Sequence, residues 1–484
     1  MRNRTTIAGG AARPAKAIGL ALVTTSLLTA CAVGPDHVSP ALPQVPAFTR
    51  QEAAQTQAPR PLDAEFWRSF DDALLERLVD AALASNHDLR VALANLEQAN
   101  ALLGESRWDR FPALTASAQA SDVRTAAVDN APDGERYAAS LGAMWELDFF
   151  GRVRRSVEAQ RAEAQASAAD LAAMQVTVVG ELALTYFRLR GLQEQLRIAR
   201  ENASGQFRTQ QILQVRHDAG FGSGLDVDRG RAQVESTRAR IPALEAEIAF
   251  AVHRIGVLTG VAPSALADEL ERTQGLPVSP ALDVAAGTPG DLLRRRPDVA
   301  AAERRLAAAT ARIGVATADL FPRFTLSGLI GTQALDAGAL FRGDSETRLL
   351  ALGVDGSFLN VGRVRARIAA TSAAAAAHLA AYERTVLLAL EETENALVRV
   401  SRSGRELAHL REAAQSSARA AQGARARHEG GAIDVLELLD AERASLQAED
   451  AHAQGRLRLA QANVLLFRTL AGGWQTAMTQ DPVP

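Results

Sequence analysis

Few side chains in this 484-residue sequence have both the type and the spacing that catalysis requires. Gly220-Phe-Gly-Ser-Gly-Leu225 follows part of a dinucleotide-binding pattern, but Leu225 stands where the third glycine belongs and no strand precedes it. The same segment lacks the glycine two residues before Ser223 that a hydrolase nucleophile turn needs. The eight histidines have no metal-ligand spacing, and Lys16 is the only lysine. The sequence therefore predicts no enzyme and no metal site.

Two charged runs have simple structural interpretations. The first run contains Glu391, Glu392 and Glu394, whose carboxyl groups could act in acid–base catalysis. Because they lie on a long alanine-rich helix, we expect them to face water instead. The three arginines at 294–296 precede Pro297 and are expected to form a solvated helix entrance, since no aromatic-studded basic surface accompanies them. No nucleic-acid partner is predicted.

The one cysteine, Cys31, follows a segment that is typical of a secretory signal peptide. Residues 1–30 contain four basic residues, no acid and a short apolar run that ends at Leu28. Leu28-Thr-Ala-Cys31 resembles a lipobox, the processing signal that leaves an acylated, for example palmitoylated, cysteine at the mature N-terminus. Ala32 then matches the pattern of lipoproteins sent to the outer membrane. A lone cysteine is otherwise more often a small buried hydrophobe. We predict a covalent lipid on Cys31 and no other cofactor.

Loss of residues 1–30 leaves 49 basic residues against 56 acids, a net charge of −7. A mildly acidic chain of this kind is a poor candidate for binding nucleic acid. No stretch after residue 30 approaches the roughly 20 unbroken apolar residues of a membrane-spanning helix. Membrane contact is therefore expected through a lipid or a β-barrel.

The same order of elements occurs twice, about 210 residues apart. The segment 88–112 aligns without a gap on 298–322 at an offset of 210. Farther on, Gly151-Arg-Val-Arg154 matches Gly362-Arg-Val-Arg365 at an offset of 211, as His217 matches His428. The repeat predicts this organisation: signal peptide 1–30, lipidated N-terminal segment 31–62, first repeat 63–260, linker 261–290, second repeat 291–473 and C-terminal tail 474–484.

Most of each repeat has apolar residues three and four apart, which is the helical signal. Neither 152–217 nor 363–428 contains proline, so each predicts a helix on the order of 100 Å long. Such lengths suit coiled coils. Ser85 or Asn86 is expected to cap the first helix of one repeat, and Pro297 to open its counterpart.

Alternating apolar and polar residues follow the Phe-Pro pairs at 111–112 and 321–322. They predict strands near 113–123, 136–149, 323–333 and 347–359. This alternation is typical of transmembrane β-strands, although a soluble sheet over a core gives the same pattern. Aromatic residues at the strand ends nearest the helices favour the membrane interpretation: Trp108, Phe111, Phe149, Phe150, Phe321 and Phe358.

Four strands cannot close a barrel with a pore, and open strand edges are not tolerated in lipid. Two copies would supply about eight strands, whose side chains fill the barrel, whereas three would supply about twelve and leave an aqueous lumen. The pattern therefore predicts a homotrimer.

Five motifs together are specific: Cys31-Ala-Val-Gly-Pro-Asp36, Phe66-Trp67 before an amphipathic helix, Leu292-Leu-Arg-Arg-Arg-Pro-Asp298, Arg312-Ile-Gly-Val-Ala316 and Leu359-Asn-Val-Gly-Arg363. With them the chain resembles the outer membrane factor family, the TolC-like efflux ducts, and within it the lipidated NodT-type branch. The resemblance covers nearly all of the mature chain.

The resemblance implies a mainly α fold with a small transmembrane β part. A trimer would close a 12-stranded barrel in the cell outer membrane, with a coiled-coil tunnel extending into the periplasm. It further implies passive conduction of drugs or other small molecules from a periplasmic adapter and an inner-membrane pump of the RND type. A periplasmic coiled-coil adapter lipoprotein is the alternative, but one helical hairpin inside Gly-rich β-domains would then be expected instead of a duplicated order.

The resemblance also implies a periplasmic gate and an adapter-docking tip where the long helices turn back. The gate residues are Asp226 in the first repeat and Leu436, Glu437, Asp440 and Arg443 in the second. The docking residues are Gly220, Phe221, Gly222, Gly430, Gly431 and Ala432. Glycine allows a positive φ, so these residues predict tight turns by themselves. Ordinary charge on exposed helices would give the same spacing of the gate residues.

Overall fold

The structure is a computed structural model that describes residues 32–43, 47–48, 65–124, 134–272, 275–277 and 288–470. Cys31, the predicted signal peptide 1–30 and the tail 474–484 lie outside the described residues. The chain divides into two compact units. The first comprises Met1–Pro40, Glu97–Ala166 and Ala302–Tyr382, and the second comprises Ala41–Leu96, Ser167–Ala301 and Glu383–Pro484.

Helices make up most of the described chain, as the periodicity predicted. Numbered in chain order, they are α1 (Ala73–Ser85), α2 (His87–Trp108), α3 (Arg152–Asp218), α4 (Gly224–Leu258), α5 (Ala267–Leu270), α6 (Pro289–Arg295), α7 (Pro297–Ala318), α8 (Val361–Glu429) and α9 (Val435–Thr469). The two long helices, α3 and α8, have 67 and 69 residues and occupy equivalent places in the two repeats.

The start of α2 is capped by Asn86 and not by Ser85. The Asn86 side-chain oxygen accepts hydrogen bonds from the backbone N–H groups of Asp88, at 2.8 Å, and Leu89, at 3.1 Å. Its amide group donates to the carbonyl of Leu258 at 2.8 Å. An asparagine at this position thus satisfies two otherwise unpaired helix donors and ties α2 to the end of α4.

Arg296 differs from the expected solvated helix entrance. Its side chain is buried and donates to Asp298, at 2.7 Å, and Glu392, at 2.9 Å, and to the carbonyl of Thr469 at 3.2 Å. Thr469 is the last residue of α9, where helix carbonyls lack an intrahelical partner. Arg296 therefore satisfies the end of α9 instead of facing water.

One antiparallel sheet has the order β1-β2-β3-β4. Its strands are β1 (Ala113–Val123), β2 (Gly134–Leu147), β3 (Arg323–Ala334) and β4 (Glu346–Asp355). The hairpin register is the same in both repeats. Ala113 pairs with Met144 in the first repeat. Arg323, 210 residues after Ala113, pairs with Asp355, 211 residues after Met144, in the second. Within the described residues, β1 and β4 each leave one edge unpaired.

The second and fourth strands end earlier than the alternation indicates, at Leu147 and Asp355. After β2 the carboxylate of Asp148 accepts hydrogen bonds from the backbone N–H groups of Val153 and Arg154, at 3.0 and 2.9 Å, and so caps α3. After β4 the chain forms a short 3-10 helix, Ser357–Asn360. Helix capping after β2 and a 3-10 helix after β4 therefore end these strands where the hydrophobic pattern alone would continue them.

Aromatic rings cluster at the strand–helix junctions of the first unit. Phe150 and Phe321 stack with ring centroids 4.5 Å apart. Trp108 and Phe111 contact each other at 5.6 Å while remaining 73% and 59% exposed in the single chain. The side chain of Phe358 lies outside the described residues.

The segment after Cys31 packs against these junctions within the first unit. The N–H of Val33 donates to the carbonyl of Phe150 at 3.2 Å. Arg155, whose side chain is 5% exposed, binds Asp36 at 2.6 Å. A Cβ atom added at Gly34 would lie 2.5 Å from the Cα of Gly314, so no larger residue fits there.

The largest hydrophobic core lies in the second unit. Phe66 stacks on Phe467 at 4.9 Å, and Phe70 contacts Phe187 at 4.7 Å. The middle of α3 supplies much of this core, and one 18-residue window of α3 is apolar enough to cross a membrane, with a mean hydropathy of 1.3. Leu182 and Phe187 are fully buried in the core. The window is 39% buried in the single chain, so core packing accounts for part of its apolar character.

Candidate gate and docking site

Two turns at the ends of the long helices carry the predicted gate and docking residues, and both belong to the second compact unit. In the first turn, between α3 and α4, the N–H of Phe221 donates to the carbonyl of Arg216 at 2.8 Å. In the second turn, between α8 and α9, the N–H of Ala432 donates to the carbonyl of Arg427, also at 2.8 Å. These bonds satisfy the last carbonyls of each helix, as a glycine-dependent C-terminal cap does.

Each turn requires one glycine for its backbone shape. Gly220 has φ 79° and Gly431 has φ 72°, both in the left-handed region. Open space surrounds both positions, since a Cβ atom built there would contact nothing within 4 Å. The backbone conformation, and not crowding, therefore favours glycine in both turns.

The helices that leave the turns are capped in the same way. The Ser223 hydroxyl accepts a hydrogen bond from the N–H of Asp226 at 3.2 Å at the start of α4. The Asp434 carboxylate accepts one from the N–H of Glu437 at 2.9 Å at the start of α9. Both are side-chain oxygens three residues before the donor, the usual helix N-cap arrangement.

The predicted docking residues form the surface of these turns. Phe221 is 80% exposed, an unusual state for a large aromatic side chain. Gly430 and Ala432 are also exposed. A cleft of about 260 Å³ separates the two turns and is lined by residues of both, including Phe221, Asp226, His428 and Leu436.

The predicted gate residues of the second repeat share one exposed face of α9. Leu436 is 52% exposed, Glu437 is exposed, and Asp440 pairs with Arg443 on the same helix. The pair is largely solvated, since the two side chains are 65% and 58% exposed. Within one chain Arg443 therefore binds Asp440 of its own helix.

In a single chain, no described contact joins Asp226, the predicted gate residue of the first repeat, to the predicted gate residues of α9. Its carboxylate accepts a hydrogen bond from the Ser223 hydroxyl at 3.0 Å and lies 3.8 Å from Arg229. Ser223 is the N-cap of α4, and Arg229 lies in the second turn of that helix.

Histidine 428 links the two turns, a contact that the sequence did not indicate. A guanidinium nitrogen of Arg216 lies 3.2 Å from Nε2 of His428. Because arginine can only donate, Nε2 is the acceptor, so Nδ1 carries the proton and donates to the carbonyl of Ile433 at 3.2 Å. The His428 ring is buried and neutral in this arrangement and joins α3 of the first repeat to the turn of the second.

Glu442 is a second residue near these turns that was not predicted from the sequence. It is only 8% exposed, accepts a hydrogen bond from Arg425 at 2.7 Å, and lies 3.5 Å from the Thr209 hydroxyl. Its other carboxylate oxygen has no hydrogen-bond partner among the residues that the structure describes. The signal was present in the sequence: Glu442 interrupts the apolar stripe of Val435, Leu438, Leu439 and Leu446 on α9.

Among the described residues, no group of three or more histidine, cysteine, aspartate or glutamate side chains is arranged to hold a metal ion. The two turns instead present an exposed aromatic side chain, Phe221, and exposed charged side chains on α9. Neither arrangement supplies a nucleophile beside a base.

Comparison with known proteins bears on the whole chain. The family model of the outer membrane efflux proteins matches residues 78–261 and 288–472, that is, once in each repeat. The outer membrane protein OprJ of Pseudomonas aeruginosa is 34% identical over 460 residues, which cover 94% of this chain and 95% of that protein.

Solved structures agree with this match. The outer-membrane channel OprN is 41% identical and superposes with a TM-score of 0.85, covering 92% of this chain and 100% of that one. The open state of the outer membrane channel MtrE of Neisseria gonorrhoeae is 27% identical with a TM-score of 0.82, covering 92% and 99% of the two chains. The predicted TolC-like fold and its function as an outer-membrane efflux channel are confirmed, and the chain belongs to the outer membrane efflux protein family.

Proposed function

We propose that three copies of this chain form a passive duct through the outer membrane. The observation that carries the proposal is the four-stranded sheet with its two unpaired edges, β1 and β4. Inside a membrane the backbone N–H and C=O groups along these free edges would lack hydrogen-bond partners, so the edges must pair with other strands. Edge-to-edge pairing of three copies supplies twelve strands and an aqueous lumen.

A lipid on Cys31 would anchor the duct. The proposal is supported by the position of the next residues: Ala32 packs against Gly151, and Val33 bonds to Phe150, where β2 passes into α3. An acyl chain attached one residue earlier would therefore start beside the base of the strands. Two acyl chains give stable membrane attachment, at about 0.8 kcal/mol per buried methylene.

The duct would receive its cargo from a periplasmic adapter and an inner-membrane pump of the RND type. Relatives named as efflux pump outer membrane proteins support this assignment, among them the probable TtgC of Pseudomonas putida, which is 30% identical over 466 residues, covering 93% of this chain and 94% of that protein. The cargo would be drugs or other small molecules, and the pump would supply the energy, because the turns hold no catalytic arrangement. The family match over both repeats favours a duct over an adapter lipoprotein.

Residues of the two turns would carry the docking and gating functions. Phe221, with the backbone of Gly220, Gly222, Gly430 and Gly431 and the side chain of Ala432, would contact the adapter. The exposed face of α9, with Leu436, Glu437, Asp440 and Arg443, would face the pore axis, together with Asp226. Carboxylates gathered around a three-fold axis would repel anions and attract cations.

The docking assignment is tested by photo-crosslinking in cells. A photoreactive residue replaces Phe221 or Ala432, and the matched control places it at Leu387, which is 63% exposed on α8 away from the turns. Photochemistry is needed because the chain after residue 30 has no lysine for amine-reactive linkers. We expect an adapter and its pump to be recovered from the turn positions and not from the control. Recovery of the trimer alone, in cells shown to express adapters, would contradict the assignment.

A further inference from the structure

The four-stranded sheet of the first compact unit has one apolar face and one polar face. Residues directly opposite each other in neighbouring antiparallel strands point to the same face, so the register assigns each side chain to a face. The apolar face includes Trp145, Leu147, Phe324, Leu326, Leu352 and Val354. The polar face includes Thr115, Ser117, Ser140, Thr325, Ser327 and Thr347.

The polar face is suited to contact with water. The hydroxyl oxygens of Ser117 and Ser140 lie 2.8 Å apart across β1 and β2 and form a hydrogen bond on this face. In a barrel that crosses a membrane, the outer wall is apolar and the inner wall lines the aqueous lumen. The polar face of this sheet is therefore the lumen wall of the proposed duct.

Three large apolar side chains interrupt this polar face. Leu329 on β3 lies directly opposite Leu349 on β4. The residue opposite Leu329 on β2 is Gly142, and Met144 stands two residues farther along β2, diagonally across from Leu329. Met144 is 60% exposed and Leu349 is 56% exposed in the single chain. The other large apolar residue on this face is Val123, at the far end of β1.

The contiguity of Met144, Leu329 and Leu349 distinguishes them from ordinary exposed hydrophobic residues. Single exposed apolar side chains are common on proteins, whereas a contiguous apolar patch within a polar surface marks a contact site. Gly142 has no side chain that could cover Leu329 from β2. The three side chains therefore present one apolar patch, the lumen patch, to molecules that pass along the polar face.

We infer that the lumen patch is a contact site for small lipophilic cations. The inference rests on the proposed duct and specifies a chemical class of cargo that its wall would bind. The apolar patch would contact the aromatic or alkyl groups of the cargo. The chain after residue 30 carries 56 acidic against 49 basic residues, and this excess of negative charge favours cations over anions. Three copies would place three such patches at one level of the barrel.

Block of single-channel current in planar bilayers tests the lumen patch in the full-length acylated protein. Tetraphenylphosphonium is the probe, and tetramethylammonium, which has the same charge and little apolar surface, is the control ion. We expect voltage-dependent block by tetraphenylphosphonium and none by tetramethylammonium. Leu329→Ser combined with Leu349→Ser is expected to weaken the block about tenfold, because most of the apolar patch is lost.

Leu350→Ser is the matched control variant. Leu350 is the next residue after Leu349 and is 79% exposed, but it points to the apolar face opposite Gly328. We expect Leu350→Ser to leave the block unchanged, and Leu349→Phe, which retains an apolar side chain in the lumen, to preserve it.

The outcomes separate the patch from the duct. A conducting trimer whose block is unchanged in the double serine variant, or is weakened equally by Leu350→Ser, would overturn the lumen patch and leave the duct intact. An inserted trimer that conducts no current in any of these forms would instead overturn the proposed duct.

Discussion

The first turn, at 218–224, and the second turn, at 429–434, have matching backbones and different surroundings. Both end a long helix with a left-handed glycine and start the next helix with a capping oxygen. In both, a histidine in the last helical turn donates from Nδ1 to the carbonyl five residues later, at 3.1 Å for His217 and 3.2 Å for His428. The repeat has therefore conserved the local chemistry that makes a turn.

The side chains around the two turns have diverged. His217 is exposed, whereas His428 is buried beneath Arg216. The first turn presents Phe221, and the second presents Ala432 at the equivalent position. The two turns therefore differ in their surroundings: the first exposes an aromatic side chain, and the second has an additional contact to Arg216 of the first repeat.

Replacing the two histidines is expected to show the largest difference in stability between the two turns. His428→Ala removes a buried ring and its hydrogen bonds to Arg216 and to the carbonyl of Ile433, at a cost of about 2 kcal/mol, or roughly thirtyfold faster hydrogen exchange in the second turn. His217→Ala loses one solvated hydrogen bond, at a cost of about 0.5 kcal/mol. Exchange mass spectrometry of peptides spanning 215–225 and 426–436 makes the measurement. Equal effects of the two substitutions would show that the Arg216 contact adds nothing.

Replacing the two glycines is expected to destabilise both turns equally, because both turns have the same left-handed backbone conformation. Gly220→Ala and Gly431→Ala each place a side chain at positive φ in open space, at a cost of about 1 kcal/mol in both turns. The control is Gly430→Ala, whose φ is not positive and whose added Cβ atom would make only ordinary contacts. Hydrogen exchange in the same peptides should rise equally in the two turns and less in the control. Unequal effects would mean that the backbones are held by different forces.

The repeat and the strand pattern were predictable from the sequence because both depend on local periodicity. The offsets of 210 and 211 residues carry over directly to the hairpin register. The ends of β2 and β4 were not predicted, since Asp148 and the segment after Asp355 stop the strands by helix capping and a 3-10 turn within an unbroken apolar alternation.

The contacts between the repeats could not be predicted from the pattern. Arg216 and His428 are 212 residues apart, and periodicity assigns each to a helix without naming its partner. The burial of Arg296 similarly depends on the carbonyl of Thr469, 173 residues away. Glu442 is an intermediate case, because a charged residue in an apolar stripe signals a buried partner but does not say which one.

Single-channel conductance in planar bilayers tests most directly whether the trimer is a duct that closes at these turns. The protein is compared with a variant that combines Glu437→Ser, Asp440→Ser and Arg443→Ser, three exposed positions whose replacement leaves the helix core intact. We predict discrete conductance steps from the trimer, with longer openings and lower cation selectivity in the variant. An inserted trimer that conducts in neither form would contradict the account.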